Sequence, residues 1–137
     1  MKIALLAFIA IAIAAAIYLL APKVNAEDGD SGSSTTFVLV KIPESLMPIA
    51  RGEKYEDPID VALRAEGMGE VTGGGSQLGE PNSDGAATIE WVGVDVELND
   101  LAIGLPLLKQ TLIELGAPNG TMVEYSLDGR NISESIK

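Results

Sequence analysis

The segment from Thr88 to Leu98 alternates between two kinds of side chain, and this alternation limits the folds that the chain can adopt. Val92, Val94, Val96 and Leu98 are aliphatic. The residues that alternate with them are Trp91, Gly93, Asp95 and Glu97. Successive strand residues point to opposite faces of a sheet, so this period of two indicates a strand in a half-covered antiparallel sheet. We therefore expect one sheet face against helices and the other face open.

Three other segments have strand composition. They are rich in β-branched or aromatic residues, or they alternate in the same way. In the second of them, three consecutive glycines weaken the strand and predict a bulge. The predicted strands cover residues 36–42, 70–78 and 121–127.

Two segments are predicted to be helical. Asp57 can cap the first helix, Pro58 suits its first position, and Gly67 can end it. The second lies within 101–115 and has leucines at spacings of three and four. Because a proline inside a helix costs about 3 kcal/mol, we expect the regular part of this helix to begin after Leu105, with the proline at 106 in its first turn.

The resulting order is strand, helix, strand, strand, helix, strand, which is the order of a ferredoxin-like unit. The predicted fold class is thus α+β, with a four-stranded antiparallel sheet and two helices on one face. The residues expected on the helix side are Val38, Val40, Val92, Val94, Val96, Val123 and Tyr125. One domain is predicted over 36–130, with an irregular connection at 44–56 and a polar tail at 131–137.

Residues 3–21 form an uncharged, mostly apolar run typical of an export signal or a membrane anchor. Val24-Asn25-Ala26 resembles a cleavage site, which favours a signal peptide over 1–26. Lys2 and the amino terminus precede the run, whereas Glu27, Asp28 and Asp30 lie beyond it, so both interpretations place the rest of the chain outside the cytoplasm. We expect a periplasmic or secreted protein, or an outward-facing anchored one that contacts the membrane only through 3–21.

The remainder of the chain is strongly acidic. Beyond Ala26 it has twenty acidic and seven basic residues, a formal charge of −13. Residues 27–35 have few apolar side chains and are predicted to be a flexible spacer. The negative field disfavours nucleic acid and anionic membrane surfaces and favours cationic partners, although such a charge also promotes solubility.

The chain has no histidine and no cysteine. It therefore cannot form a Ser-His-Asp triad, a cysteine nucleophile, a disulfide or the usual zinc site. No cofactor and no catalytic residue are predicted. An enzyme is less favoured than a binding domain.

The open sheet face is the predicted binding surface. Monomers rarely leave large apolar patches exposed, so we expect this face to bind a protein partner, to self-associate, or to be covered by the 44–56 segment. The favoured function is an exported, non-enzymatic protein-binding domain, similar in role to an inhibitor or immunity protein. The predicted face residues are Phe37, Leu39, Ile89, Trp91, Asp95, Glu97, Met122 and Glu124.

An alternative function uses the acidic residues of this face. Asp95 and Glu97 share a face because they lie two residues apart, and Glu124 can join them from another strand. Three such carboxylates are weak candidates for a metal site, or for the centre of a small carboxylate-dependent enzyme or cation-binding protein. Asn119 and Asn131 begin glycosylation motifs whose use depends on the host.

Overall fold

The structure is a computed structural model, and it describes residues 34–137 as an α+β unit with five strands. The predicted signal or anchor, and the predicted spacer except for its last two residues, lie outside the described residues. Within residues 34–137, no helix has the length and hydrophobicity needed to span a membrane. The strands are β1 (Thr36–Ile42), β2 (Gly69–Leu78), β3 (Ile89–Leu98), β4 (Met122–Leu127) and β5 (Arg130–Ser135). The helices are α1 (Pro48–Arg51), α2 (Asp57–Ala65) and α3 (Leu101–Glu114), with a π-helical turn (Gly52–Glu56) between α1 and α2.

The five strands lie in the order β2-β3-β1-β4-β5, and every neighbouring pair is antiparallel. At the centre of the sheet, Val40 of β1 pairs with Val94 of β3 and with Val123 of β4. The residues that alternation assigned to the helix side are all buried, and none is more than 9% exposed. The prediction of this face is confirmed for Val38, Val40, Val92, Val94, Val96, Val123 and Tyr125.

The helical layer covers only this face. Tyr55 of the π-helical turn, Ile59 and Leu63 of α2, and Leu108 and Leu112 of α3 are fully buried in the same cluster as the sheet valines. Burial of an aliphatic or aromatic side chain contributes about 1.5–3 kcal/mol. These contacts therefore stabilise a chain that has no cysteine to form disulfides.

Residues 44–56 are not the irregular connection that the sequence predicted, because 48–56 are helical and lead directly into α2. Pro58 supplies a physical reason for the wide turn, since its ring and missing N–H disturb the helical bonding of the preceding turn. The N–H of Asp57 bonds to the carbonyl of Gly52, five residues earlier, so Asp57 continues the helix rather than capping it.

Tyr55 anchors the π-helical turn through both its ring and its hydroxyl group. Its ring is fully buried in the core, and its hydroxyl donates a hydrogen bond to Glu44 Oε1 at 2.8 Å. Lys54 Nζ donates to the same carboxylate at 2.9 Å. Burial, and then the hydrogen bond to Glu44, raise the pKa of Tyr55 to about 12, so its hydroxyl remains a donor at neutral pH.

Helix α3 begins at Leu101, earlier than the sequence predicted, and so contains Pro106. Asp100 stabilises this early start because its Oδ1 accepts the N–H of Ile103 at 3.1 Å. Gly104 allows the first turn to approach β3 closely, because a Cβ there would lie 3.1 Å from Leu98 Cδ2. The cap and the close packing offset the hydrogen bond that the proline cannot make.

The C-terminal residues form a fifth strand, so the predictions of a four-stranded sheet and of a polar tail are wrong. Residue 130 therefore does not end the domain: β5 pairs with β4, and Ile136 is buried in the core. Glu134 fixes β5 by accepting bonds from Lys109 Nζ at 2.6 Å and from the Tyr125 hydroxyl at 3.0 Å. The hydrogen bond from Lys109, and to a lesser extent the one from Tyr125, lower the pKa of Glu134.

The N-cap of α3 can be tested by Asp100→Ala. Asp100 is exposed, so the substitution removes the cap without opening a core cavity. We expect the free energy of unfolding to fall by about 1 kcal/mol. Urea denaturation followed by the fluorescence of Trp91, the single tryptophan, measures this change. Asp100→Asn keeps a capping oxygen and should retain most of the stability; an equal loss in both variants would contradict the assigned cap.

The anchor of β5 can be tested by Glu134→Gln as a function of pH. A lowered folded-state pKa means that ionised Glu134 stabilises the fold above its unfolded pKa of about 4.3, and that this contribution disappears as the pH falls through the lower folded value. We expect the variant to lose about 0.5–1 kcal/mol at neutral pH, since the pair is partly solvent-exposed.

The stability difference between Glu134→Gln and the wild type should shrink in acid, below a pH of about 4.3. Glu66→Gln is the matched control, because Glu66 is exposed and has no ion-pair partner among the described residues. A stability difference that persists unchanged to low pH would show that the ionised carboxylate does not hold β5.

Candidate binding face

The strand register places the predicted binding residues on the uncovered face of the sheet, with one exception. Phe37 of β1 lies opposite Glu97 of β3, and Leu39 lies between Asp95 of β3 and Glu124 of β4. Lys41 follows on the same face, opposite Met122 and Gly93. Among the apolar residues of this face, Phe37 is the most exposed, with 52% of its surface accessible. We call this surface the open face; its residues are Phe37, Leu39, Lys41, Trp91, Gly93, Asp95, Glu97, Met122 and Glu124.

Ile89 is the exception. It packs against the buried core cluster rather than joining the open face. The register shifts between Gln77 and Leu78 of β2, which pair with Trp91 and Ile89, so β3 has one extra residue at this point. An extra residue reverses the alternation beyond it, which explains why parity counting from Val92 misplaced Ile89.

Trp91 lies along the open face beside a glycine. A Cβ at Gly93 would be 3.3 Å from Trp91 Cζ3 and 3.3 Å from Leu39 Cδ1, so both side chains border the space above this residue. The absence of a side chain at Gly93 allows the indole ring to lie close to the sheet. The result is a flat apolar surface across β1 and β3.

Lys41 connects the apolar and acidic parts of the open face. Its Nζ lies 4.7 Å from the centre of the Trp91 ring and 3.4 Å from Glu124 Oε1. A cation over an aromatic ring contributes about 0.5–1 kcal/mol at an exposed site. These contacts hold Lys41 in place and leave Asp95 without an ion-pair partner among residues 34–137.

The three acidic residues proposed as a metal or catalytic centre do not converge. Leu39 separates Asp95 from Glu124, since they lie on strands two positions apart, about 10 Å at the usual strand spacing. Glu97 lies beside Thr35, whose hydroxyl donates to it at 3.5 Å, while Glu124 pairs with Lys41. In the described part of the chain, no group of three potential ligands is placed to hold a metal ion.

A shallow groove of about 630 Å³ crosses the open face between β1, β4 and β5. Phe37 and Leu39 supply apolar walls, and Glu124 supplies a charged one. Ser126, Asn131 and Ser133 add hydroxyl and amide groups. The sequence prediction missed this groove because it assigned Asn131 and Ser133 to a polar tail, although the alternation of Ile132 with polar neighbours was a weak signal of a strand.

The 44–56 segment does not cover the open face. Tyr55 is buried in the core on the opposite side of the sheet. Arg51 reaches β2 from the same helical side, where its Nη1 donates to Ser76 Oγ at 3.1 Å. Among residues 34–137, the open face is therefore bare, and the possibility that this segment covers it is excluded.

Comparison with protein-family models, curated proteins and solved structures finds no match to this chain.

The position of Trp91 can be tested by Gly93→Ala. The added methyl group would crowd the indole and Leu39, so we expect the ring to move away from the sheet and its emission to shift to longer wavelength. Steady-state fluorescence with acrylamide quenching measures the change on a single reporter, since the chain has 1 tryptophan. Gly75→Ala is the control, because a Cβ there meets nothing within 4 Å; equal shifts in both variants would refute the contact.

Proposed function

We propose that this chain is an exported, non-enzymatic domain that binds a protein partner through its open face, in the manner of an inhibitor or immunity protein. The observation that carries the proposal is a sheet covered by helices on one face only, with Phe37, Leu39 and Trp91 exposed or half-exposed on the other. Large exposed apolar surfaces on monomers are usually sites of interaction. Export follows from the apolar run at 3–21 and belongs to the same proposal.

The composition of the open face supports a protein partner. Aromatic and aliphatic side chains lie at its centre, and acidic residues surround them, as in interfaces with an apolar core and a polar rim. Four acids and one lysine alternate onto this side of the strands: Glu70, Asp95, Glu97, Glu124 and Lys41. The excess of negative charge favours a basic partner and disfavours a second copy of this acidic chain, although self-association remains an outcome of the test below.

The cation-binding or carboxylate-enzyme alternative has less support. Its three acids are divided between strands, and Glu124 is already paired with Lys41. Acid and base catalysis needs carboxyl groups placed together around a reacting atom. No specific contact of Asp95, Glu97 or Glu124 favours such a centre.

We also propose that the fold is a ferredoxin-like unit extended by one strand. The order β2-β3-β1-β4, with every pair antiparallel, supports this assignment, and β5 adds to the free side of β4. The ferredoxin-like fold serves many unrelated functions, so this assignment by itself does not favour one function over another.

The open face can be tested by site-specific photo-cross-linking in cells. A benzophenone side chain at Phe37 should capture the partner, whereas the same group at Ile103 of α3, on the helical side, should not, although Ile103 is 60% exposed. Trp91→Ala should reduce the cross-link at Phe37 by about tenfold, because buried aromatic anchors contribute about 2 kcal/mol or more to binding.

The cross-linked species is then identified by mass spectrometry. An adduct with another protein supports the heterologous partner, and an adduct with a second copy supports self-association through the same face. Equal cross-linking at Phe37 and Ile103, or capture unchanged by Trp91→Ala, would overturn the proposal. Glu97→Lys tests the charge, since it should slow association and weaken its dependence on salt.

A further inference from the structure

The two edges of the sheet differ in how their backbones are protected. Strand β5 is short, and Glu134 fixes it to α3 and β4. Strand β2 is ten residues long and pairs with β3 on one side only. Natural proteins protect edge strands with charged residues, prolines or bulges, because an unpaired backbone is a template for another strand.

The first part of the β2 edge is protected. The N–H of Val71 donates to Asp60 Oδ1 at 2.9 Å, which lowers the pKa of this carboxyl mainly through that bond. A bulge follows between Val71 and Gly73, and the Thr72 hydroxyl bonds to the carbonyl of Asp95 at 3.4 Å. In this part of the edge, the Val71 N–H is therefore already bonded, and the bulge interrupts the regular strand.

The second part of the edge, Gly73–Leu78, is less protected, although Arg51 bonds to Ser76 from the helical side and the register shifts at Gln77 and Leu78. It contains no charged residue and no proline. Among residues 34–137, the backbone of Gly73 to Gln77 has no hydrogen-bond partner outside the sheet. An edge strand directs every second pair of N–H and C=O groups outward, so this six-residue stretch can bond to one further strand.

The two sides of this edge differ in chemistry. On the helical side, Glu56, Asp57 and Asp60 line a notch beside Gly73 of about 280 Å³. On the open face, Leu39, Trp91 and Gly93 line another notch of about 210 Å³ beside the same edge, with Asp95 at its border. The helical side of the edge thus has three acids beside Gly73 and Arg51 beside Ser76, and the other side is mainly apolar.

The charges near the edge favour a cationic partner. Five acids surround it, against Arg51, which pairs with Glu56, and Arg64, which pairs with Asp60 and Glu70. Asp57 and Asp95 have no ion-pair partner in the described part of the chain. A second copy of this acidic chain would add charge of the same sign, so the field opposes self-pairing at long range.

We propose that the Gly73–Leu78 edge accepts an extended segment of the partner protein as an added strand, in which basic side chains alternate with apolar ones. Successive residues of an added strand point to opposite faces, so the basic ones reach Glu56, Asp57 and Asp60, and the apolar ones reach Trp91 and Leu39. The inference rests on the proposed protein-binding function and names a class of partner for it. It also makes the apolar part of the open face continuous with the edge.

The test uses a capped peptide of about eight residues that alternates lysine and valine, added to the isotope-labelled full chain. We expect shift changes and slowed hydrogen exchange at the amides of Gly73–Leu78. A peptide of the same composition, with lysines and valines in adjacent pairs, should bind about tenfold more weakly, because it cannot place the two kinds of side chain on opposite faces. An alternating glutamate and valine peptide should not bind.

Backbone pairing is tested on the peptide itself. In one peptide, the backbone nitrogens that face β2 are methylated, so these hydrogen-bond donors are lost. In a second peptide, the intervening nitrogens are methylated, so the donors that face β2 stay intact. We expect one methylated peptide to lose binding and the other to keep it. Equal loss or equal retention in both would exclude strand addition.

Two protein variants separate the edge from a general effect of charge. Gly75→Lys introduces a cation at the edge, at a position where a Cβ meets nothing within 4 Å, and should weaken peptide binding about tenfold. Ser135→Lys makes the same change in charge on exposed β5, four strands away, and should weaken it much less. Equal effects would show attraction to the whole acidic surface and overturn the proposal.

The remaining outcomes separate the edge from the open face. Protection of Gly73–Leu78 that grows with protein concentration in the absence of peptide would replace the proposal with self-pairing. Failure of the alternating peptide, with cross-linking at Phe37 intact, would remove the edge site and leave the proposed function standing. Peptide binding at the edge without cross-linking at Phe37 would place the protein-binding site on β2 alone.

Discussion

The burial of one face of a single sheet is the constraint on which the other features of this molecule depend. Val40 and Val94 lie side by side at the centre of that face, and Tyr55, Ile59 and Leu112 belong to the same buried cluster. Each such burial contributes about 1.5–3 kcal/mol, and without cysteines no disulfide adds to it. Because the helices that pack against the sheet all lie on this side, the opposite face stays open.

The same arrangement explains why the two sheet edges differ. Helix α3 lies close enough to β5 for Lys109 to reach Glu134, and this bond fixes the C-terminal strand. Helix α2 reaches β2 only near Val71, through Asp60. Gly73, Gly74 and Gly75 add no side chains of their own to the next part of the edge, which Arg51 approaches only from the helical side, at Ser76. Part of the edge thus stays free because α2 contacts it only near Val71 and because three consecutive glycines follow.

Charge and hydrophobicity combine on the open face. Lys41 lies between Trp91 and Glu124, so it neutralises one acid and covers part of the indole. Asp95 stays unpaired in the described part of the chain and lies near the β2 edge. A partner that contacts both surfaces would meet apolar groups in the middle and negative charge around them. This pattern favours specific binding of a basic protein over chemistry at a single centre.

The sequence by itself determined which strand residues face the helices and which face away. Alternation is a local property, because residues two positions apart in a strand point to the same face. It placed Val94 inside and Trp91 outside because these positions require only a count along one strand. Tertiary structure decided the rest. Ile89 turned to the core because of a register shift against β2, and the acids were separated because β1 lies between β3 and β4. Residues 130–135 became a strand because β4 and Lys109 supply their partners, and 48–56 became helical with Tyr55 buried in the core. The pairings of β1 and the bond from Lys109 to Glu134 join residues far apart in the chain, and local patterns carry little information about them. The β4–β5 hairpin is local, but the residues of β5 are mostly polar and so gave only a weak strand signal.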